Sequence, residues 1–162
     1  MEMRRKDRFR GEDFSLALID RCTHAVMALT TGEETPYCLP LSFVRVDRSL
    51  YFHCAREGRK VDLMKAHPRV CVTFVGRDDP AFVEPSEYTT YFQSVIVTGT
   101  VHEVTDESEK VLALRALCQK LTPQAMDGDR FQTAVDRSLK ATGVWCIHME
   151  ELSGKEKAPK AL

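Results

Sequence analysis

Short apolar runs separated by polar turns dominate the first two thirds of the chain, and two periods recur in them. Leu50, Phe52 and Cys54 alternate with Tyr51, His53 and Ala55, which is the period of a half-buried strand. The runs at 24–30, 37–46, 69–75, 91–104 and 144–149 read as strands in the same way. Between them lie polar turns, such as Thr31 to Pro36, where Gly32 can take a positive φ, and Asp47-Arg48. Helical spacing appears in four places. Phe14 to Ile19 forms a short amphipathic helix with Asp13 as its expected cap, and residues 59 to about 67 form another that Pro68 stops. Asp106 is placed to cap a helix reaching Leu121, and a further helix is expected over 130–140. Residues 76–90, with Pro80 and Pro85, read as a long polar loop, and Gly99 marks a bulge or a close backbone approach.

This order predicts about six short antiparallel strands with helices inserted at some connections. Several strand pairs are joined too tightly for crossover helices, which argues against a doubly wound parallel sheet. The expectation is a single domain over 1–162, a small β-barrel decorated by helices, with a basic arm over about 1–10 and a charged tail over 150–162 that frays.

Composition narrows the function classes. The formal net charge is -1, so no global field recruits nucleic acid or an acidic membrane, and an anion site has to be local. No stretch approaches membrane-spanning length, and no apolar run follows the basic start to make a signal peptide. The six cysteines are scattered without a close pair, which fits reduced thiols in a cytoplasmic protein and no metal site. His24, His67, His102 and His148 show no metal spacing and read as structural, and Trp145 reads as core. Tyr88, Tyr91 and Phe92 are open to two readings, a subunit interface or a cover over a substrate.

The sharpest chemical signal is the junction from Tyr51 to Lys60. A strand breaks at Gly58 into a helix whose first residues are Arg59 and Lys60. Free amides and the macrodipole make a helix start positive, so two cations there oppose it unless an anion lies between them. A phosphate group fits that arrangement; a solvated basic surface is the alternative. His53, one strand position before Cys54, is either a structural hydrogen-bonder or a ligand or substrate contact with an unperturbed pKa of roughly 6.5.

Met3 to Arg8, Pro36-Tyr37 with Pro40 to Phe43, Tyr51 to Ala55, Glu57 to Lys60, and Ser153-Gly154-Lys155 together resemble the FMN-binding split-barrel superfamily of pyridoxamine 5′-phosphate oxidase. Within it they are most similar to Nim-type 5-nitroimidazole reductases. The resemblance implies a six-stranded antiparallel Greek-key split β-barrel with flanking helices, a homodimer, and FMN in a cleft between protomers. It implies that Pro40, Leu41, Ser42 and Phe43 lie by the flavin ring and that His53, Cys54 and Ala55 flank the ring or ribityl chain. Arg59 and Lys60 then hold the phosphate, Gln93 and Ser94 add polar contacts, and His53 is the candidate catalytic group. A flavin carries its own redox chemistry, so no nucleophile motif is required, and none is present. The implied activity is reduction of a small electrophile such as a nitroaromatic, with a nicotinamide donor as electron source. A flavin-storing module without turnover, or a barrel using haem or a deazaflavin, are the alternatives. One departure counts against vitamin oxidation: the chain lacks the C-terminal basic segment that grips substrate phosphate in true pyridoxamine-phosphate oxidases.

Overall fold

The computed structural model describes residues 4–159; Met1 to Met3 of the basic arm and the last three residues of the tail lie outside the described residues. The elements are β1 (Phe9–Arg10), α1 (Glu12–Arg21), β2 (Ala25–Leu29), β3 (Tyr37–Leu41), β4 (Val44–Val46), β5 (Ser49–Ala55), α2 (Arg59–Ala66), β6 (Arg69–Val83), β7 (Glu87–Glu103), α3 (Glu107–Leu121), α4 (Arg130–Ser138) and β8 (Thr142–Lys157). They build one eight-stranded sheet in the order β3-β2-β6-β7-β8-β5-β4, with β1 paired to β8. Every pair is antiparallel. Strands β6, β7 and β8 are successive neighbours and β5 returns beside β8, which is Greek-key connectivity.

The register explains why the alternating runs fold this way. Met27, Val72, Val97 and Leu152 form one inward row across four strands. Below it Phe43, Phe52 and Phe74 meet edge-to-face with centroids 5.3 and 5.9 Å apart, the geometry that ring quadrupoles favour. Strands β5 and β8 are buried on both faces over part of their length. Phe52, Trp145 and Ile147 enter the main core, while Tyr51, Val144 and Cys146 pack under Ala113 and Leu117 of α3. That double burial is why Val144 to Ile147 is apolar throughout rather than alternating.

Helix α3 starts as expected, with the Asp106 side chain accepting from the Glu109 amide. The cap of α1 differs from expectation: the helix begins at Glu12 behind Gly11, so Asp13 lies in its first turn. There its charge complements the dipole instead of capping. The strand expected over 37–46 is two strands, because Ser42 and Phe43 break the run and Phe43 turns fully into the core.

Two larger corrections concern polar segments. Residues 76–90 are not a loop; β6 and β7 continue as a paired ribbon to Val83 and Glu87, with a turn between them. The tail does not fray over 150–157, where β8 pairs with β7 and, at Gly154 and Lys155, with β1. Both segments are polar because the backbone ladder and exposed ion pairs, not apolar burial, hold them; Lys157 bridges to Glu87 at 2.9 Å. Hydrophobic alternation is silent for strands of that kind. Among the described residues the strand count is therefore eight rather than six.

Gly99 is both a bulge and a close approach. The β7–β8 register shifts at Thr98/Gly99, and a Cβ on Gly99 would lie 2.0 Å from the His148 carbonyl oxygen. Overfilling a packed position typically costs 1–3 kcal/mol. Gly99→Ala is expected to lower stability by about 2 kcal/mol or more, read as a reduced urea midpoint with unchanged slope; an unchanged midpoint would show that the strand pair yields freely.

Candidate functional site

Strand β5 delivers alternate residues to opposite sides of the barrel wall. Leu50 and Phe52 point in, and Cys54 continues that side half-buried, while His53 and Ala55 face out beyond the edge of α3. Gly58 then turns the chain sharply. Its φ of 112° lies where L side chains rarely go, and its carbonyl accepts from the Val61 and Asp62 amides at 2.8 and 3.1 Å. Helix α2 is thereby launched across the barrel end, with Val61 and Met64 buried against it. The first-turn amides of Arg59 and Lys60 remain at the helix start, where the dipole is positive.

The two cations of that start diverge. Lys60 lies close enough to His53 and Cys54 to perturb both, and among the described residues it enters no ion pair. The Arg59 guanidinium instead stacks over the Tyr37 ring on β3, 4.9 Å from its centroid. Burial first, and then the Lys60 charge, hold the His53 imidazole below its ordinary pKa. Burial pushes the Cys54 thiol up, with Lys60 the largest opposing influence. Behind Cys54 stands Trp145, only 2% exposed, whose buried indole N–H lies close enough to the Cys54 sulfur to oppose the upward push on its thiol.

A concavity of about 280 Å³ opens beside His53, lined by His24, Pro40, Leu41, Ser42 and His53. The end of β3 and the outer face of β5 thus bring together four residues anticipated for the site and one that was read as structural, His24. Phe43 is different. Its side chain is fully buried and its carbonyl accepts from Lys120 Nζ at 2.9 Å, so only its remaining backbone is available to a ligand. Lys120 also donates to Ile19 O at 3.0 Å, joining α3, α1 and the break between β3 and β4. Burial lowers its pKa from the usual lysine range. Nothing in its local sequence marks that role, since its acceptors are backbone oxygens some 77 and 101 positions away. His24 had a weak signal, a polar residue opening an apolar strand.

Gln93 and Ser94 do not join this group within one chain. Pro40, Val26, Thr73 and Ile96 form a single outward row across β3, β2, β6 and β7. At about 4.8 Å per strand, Ile96 lies about 14 Å from Pro40, and Ser94 is two positions further along β7. Gln93 donates to Glu156 Oε1 at 2.6 Å, and Glu156 also pairs with Arg10 at 2.8 Å. Between the concavity and Ser94 the sheet exposes Val26, Val75 and Ile96, each more than 40% accessible. A second concavity of about 400 Å³ along α4, lined by Asp129, Arg130, Thr133, Ala134 and Arg137, is separate from these residues. Among the described residues no helix is long and apolar enough to cross a membrane, and no cluster of three or more His, Cys, Asp or Glu side chains could hold a metal ion.

An antiparallel Greek-key sheet with its helices inserted between strands, one of them a basic helix across the barrel end, is a split barrel. Residues 12–156 match the family model of pyridoxamine 5′-phosphate oxidase, and the chain belongs to that family. No curated protein matches the sequence significantly. Among solved structures it is similar to a candidate 5-nitroimidazole antibiotic resistance protein from Bacteroides thetaiotaomicron, with 22% identity, a TM-score of 0.77, and 91% of this chain and 90% of that one covered. It is similar to the flavocytochrome Anf3 from Azotobacter vinelandii, at 21% identity and TM-score 0.80, over 99% and 74% of the two chains. A FAD-binding protein from Mesorhizobium loti aligns at 23% identity and TM-score 0.66, over 93% and 98%. At these identities the likeness defines the fold.

The electrostatic coupling of Lys60 to His53 gives a test. Because the folded-state pKa of His53 is depressed, its contribution to stability is present above the unfolded pKa of roughly 6.5 and is lost as pH falls through the folded value. In an NMR titration of the Hε1 resonances, His53 is expected to titrate below the ordinary histidine range, and Lys60→Ala to move it upward. A midpoint unmoved by Lys60→Ala would mean that the two groups do not sense each other.

Proposed function

We propose that the chain is a homodimeric flavoprotein that binds FMN and reduces a small electrophilic compound, with nitroaromatics as the leading substrate class and a nicotinamide as electron donor. The observation that carries this reading is one convergence: the α2 start with Lys60, the outer face of His53, and the concavity walled by Pro40 to Ser42 are contiguous. A phosphate fits the helix start, and a planar ring fits against the backbone-rich wall of Pro40, Leu41 and Ser42. Cys54 and Ala55 lie between the two. Arg59 reaches the same phosphate if its guanidinium leaves Tyr37, a contact worth about 0.5–1 kcal/mol at an exposed site. The pyridoxamine 5′-phosphate oxidase family and the flavin-named structural neighbours support a flavin as the ligand. The 5-nitroimidazole resistance protein among them supports the nitroaromatic.

The proposed dimer rests on the exposed face. Val26, Val75 and Ile96 make an apolar strip that starts at the concavity and ends beside Ser94. A second copy on this strip would cover it and carry its own Gln93 and Ser94 toward the first copy's concavity, completing a set that one chain leaves divided. Light scattering at micromolar concentration is expected to give twice the chain mass, and Ile96→Glu to give the single chain mass. A wild-type monomer would remove the two-chain cleft.

The cofactor is tested by fluorescence titration. FMN is expected to bind, riboflavin to bind much more weakly, and Lys60→Ala to weaken FMN by roughly 1.5–3 kcal/mol, the usual worth of a hydrogen bond to a charged group. Equal affinities for FMN and riboflavin would move the phosphate away from α2. A visible spectrum of the purified protein separates flavin from haem, and reoxidation of the reduced protein by a nitroaromatic separates a reductase from a storage module.

A further inference from the structure

Beyond Lys157, where β8 ends, the β6–β7 pair runs on without a third strand. Five residue pairs lie past that point, from Asp79 with Tyr91 to Val83 with Glu87, and among the described residues no other strand joins them. At about 3.4 Å per residue the free part of this ribbon is about 15 Å long. A two-stranded hairpin is at best marginally stable in water, because its faces need something to bury against. The tip shows that need: Phe82 and Tyr88 pack on each other with centroids 4.9 Å apart, yet they are 48% and 86% exposed. The ion pairs of Arg77 with Asp79 and of Lys157 with Glu87 lie at the surface, where such pairs contribute little.

We propose that this ribbon is an arm that clasps a second copy of the chain. The inference rests on the homodimer part of the reading above and adds the surface that makes such a dimer stable. Two observations choose the occupant. The first is continuity. Strand alternation puts Phe92, Thr90 and Tyr88 on the side of β7 that carries Ser94 and Ile96, and Phe82 lies directly across from Tyr88. The exposed aromatic pair therefore belongs to the same outward face as Val26, Val75 and Ile96. The row through Ser94 joins Val75 on one side and, through Lys155, Phe9 on the other, 59% and 53% exposed. The second observation is area. A stable interface buries about 800 Å² on each partner, which three half-exposed aliphatic side chains cannot supply. In a twofold dimer each copy gives its ribbon and receives the other's, so the arm enlarges the contact twice.

Strand direction fixes where the arm goes. The steps from Val26 to His24, Pro40 to Ser42, Thr73 to Val75 and Ile96 to Ser94 all lead toward one end of the sheet, because neighbouring strands are antiparallel. The concavity and the root of the ribbon share that end. A twofold axis parallel to the strands, midway along the row from Pro40 to Ile96, brings Ser94 of one copy over His24 and Ser42 of the other. From Ser94 to Tyr88 the strand runs a further distance of about 20 Å. The aromatic tip thus passes beyond the mouth of the other copy's concavity, which makes Tyr88 an interface residue and not a cover over substrate.

Hydrogen exchange of the full wild-type chain, read by mass spectrometry at micromolar concentration, tests the arm without a ligand. Peptides covering 79–83 and 87–91 are expected to be protected, and to exchange at least tenfold faster in Ile96→Glu and in wild type diluted below its dissociation constant. Peptides of β5 and β8 are expected to keep their protection in Ile96→Glu, which separates loss of the arm's cover from unfolding. Phe82→Ser combined with Tyr88→Ser is expected to raise the dimer dissociation constant at least tenfold. A dimer whose ribbon exchanges at the rate seen in the single chain, or whose dissociation constant ignores the double substitution, overturns the arm and leaves the dimer standing. A ribbon protected only once FMN or nitrobenzene is added covers the site instead, and overturns the arm as well. Wild-type protein that scatters as a monomer overturns the dimer, and the arm with it.

Discussion

Strand β8 is the constraint on which the rest depends. Over its sixteen residues it pairs with β7 on one side, and on the other with β5 in its first half and β1 near its end. A strand that must satisfy two ladders cannot slip by one residue without turning every inward side chain to the wrong face. The register of β8 therefore determines which face β5 presents, and so which of His53 and Cys54 looks outward. The position of α2 follows, because the helix leaves directly from the end of β5.

The same constraint explains how unlike groups come to be neighbours. Lys60 and His53 are close because a positive-φ glycine folds the chain back within five residues of the strand. His24 and His53 are close because the sheet curls until β2 and β3, at one end of the strand order, approach β5, next to last at the other, around the concavity. The first kind of proximity is local and the second is topological. Lys120 belongs to the second kind as well, bridging two backbone carbonyls from the far end of α3.

That distinction sets what was legible in the sequence. The β5–Gly58–α2 junction, the Asp106 cap, the Gly99 bulge and the core position of Trp145 all rest on local chemistry, and each could be read from a few adjacent residues. The ribbon over 76–90 and the strand over 150–157 could not, because their pairing is carried by backbone hydrogen bonds and surface charges that leave no apolar period. Pro40, Leu41 and Ser42 were reached through a resemblance, and the structure seats them with His53. The same resemblance pointed to Phe43, whose side chain the core claims, and to Gln93 and Ser94, which lie across an exposed face from the rest. His24, read as structural, lines the concavity because the curl of the sheet brings the start of β2 opposite β5.

Trp145 is the chain's only tryptophan, and its buried indole N–H lies against the Cys54 thiol, near Lys60. A single emitter in a dry wall, a few side chains from the helix start, gives the protein an intrinsic optical reporter. Its emission overlaps the near-ultraviolet absorption of an oxidised isoalloxazine, so a flavin seated at the barrel end would darken it by energy transfer. Occupancy could then be followed in the native chain, without a label, from the colour of light the protein ceases to emit.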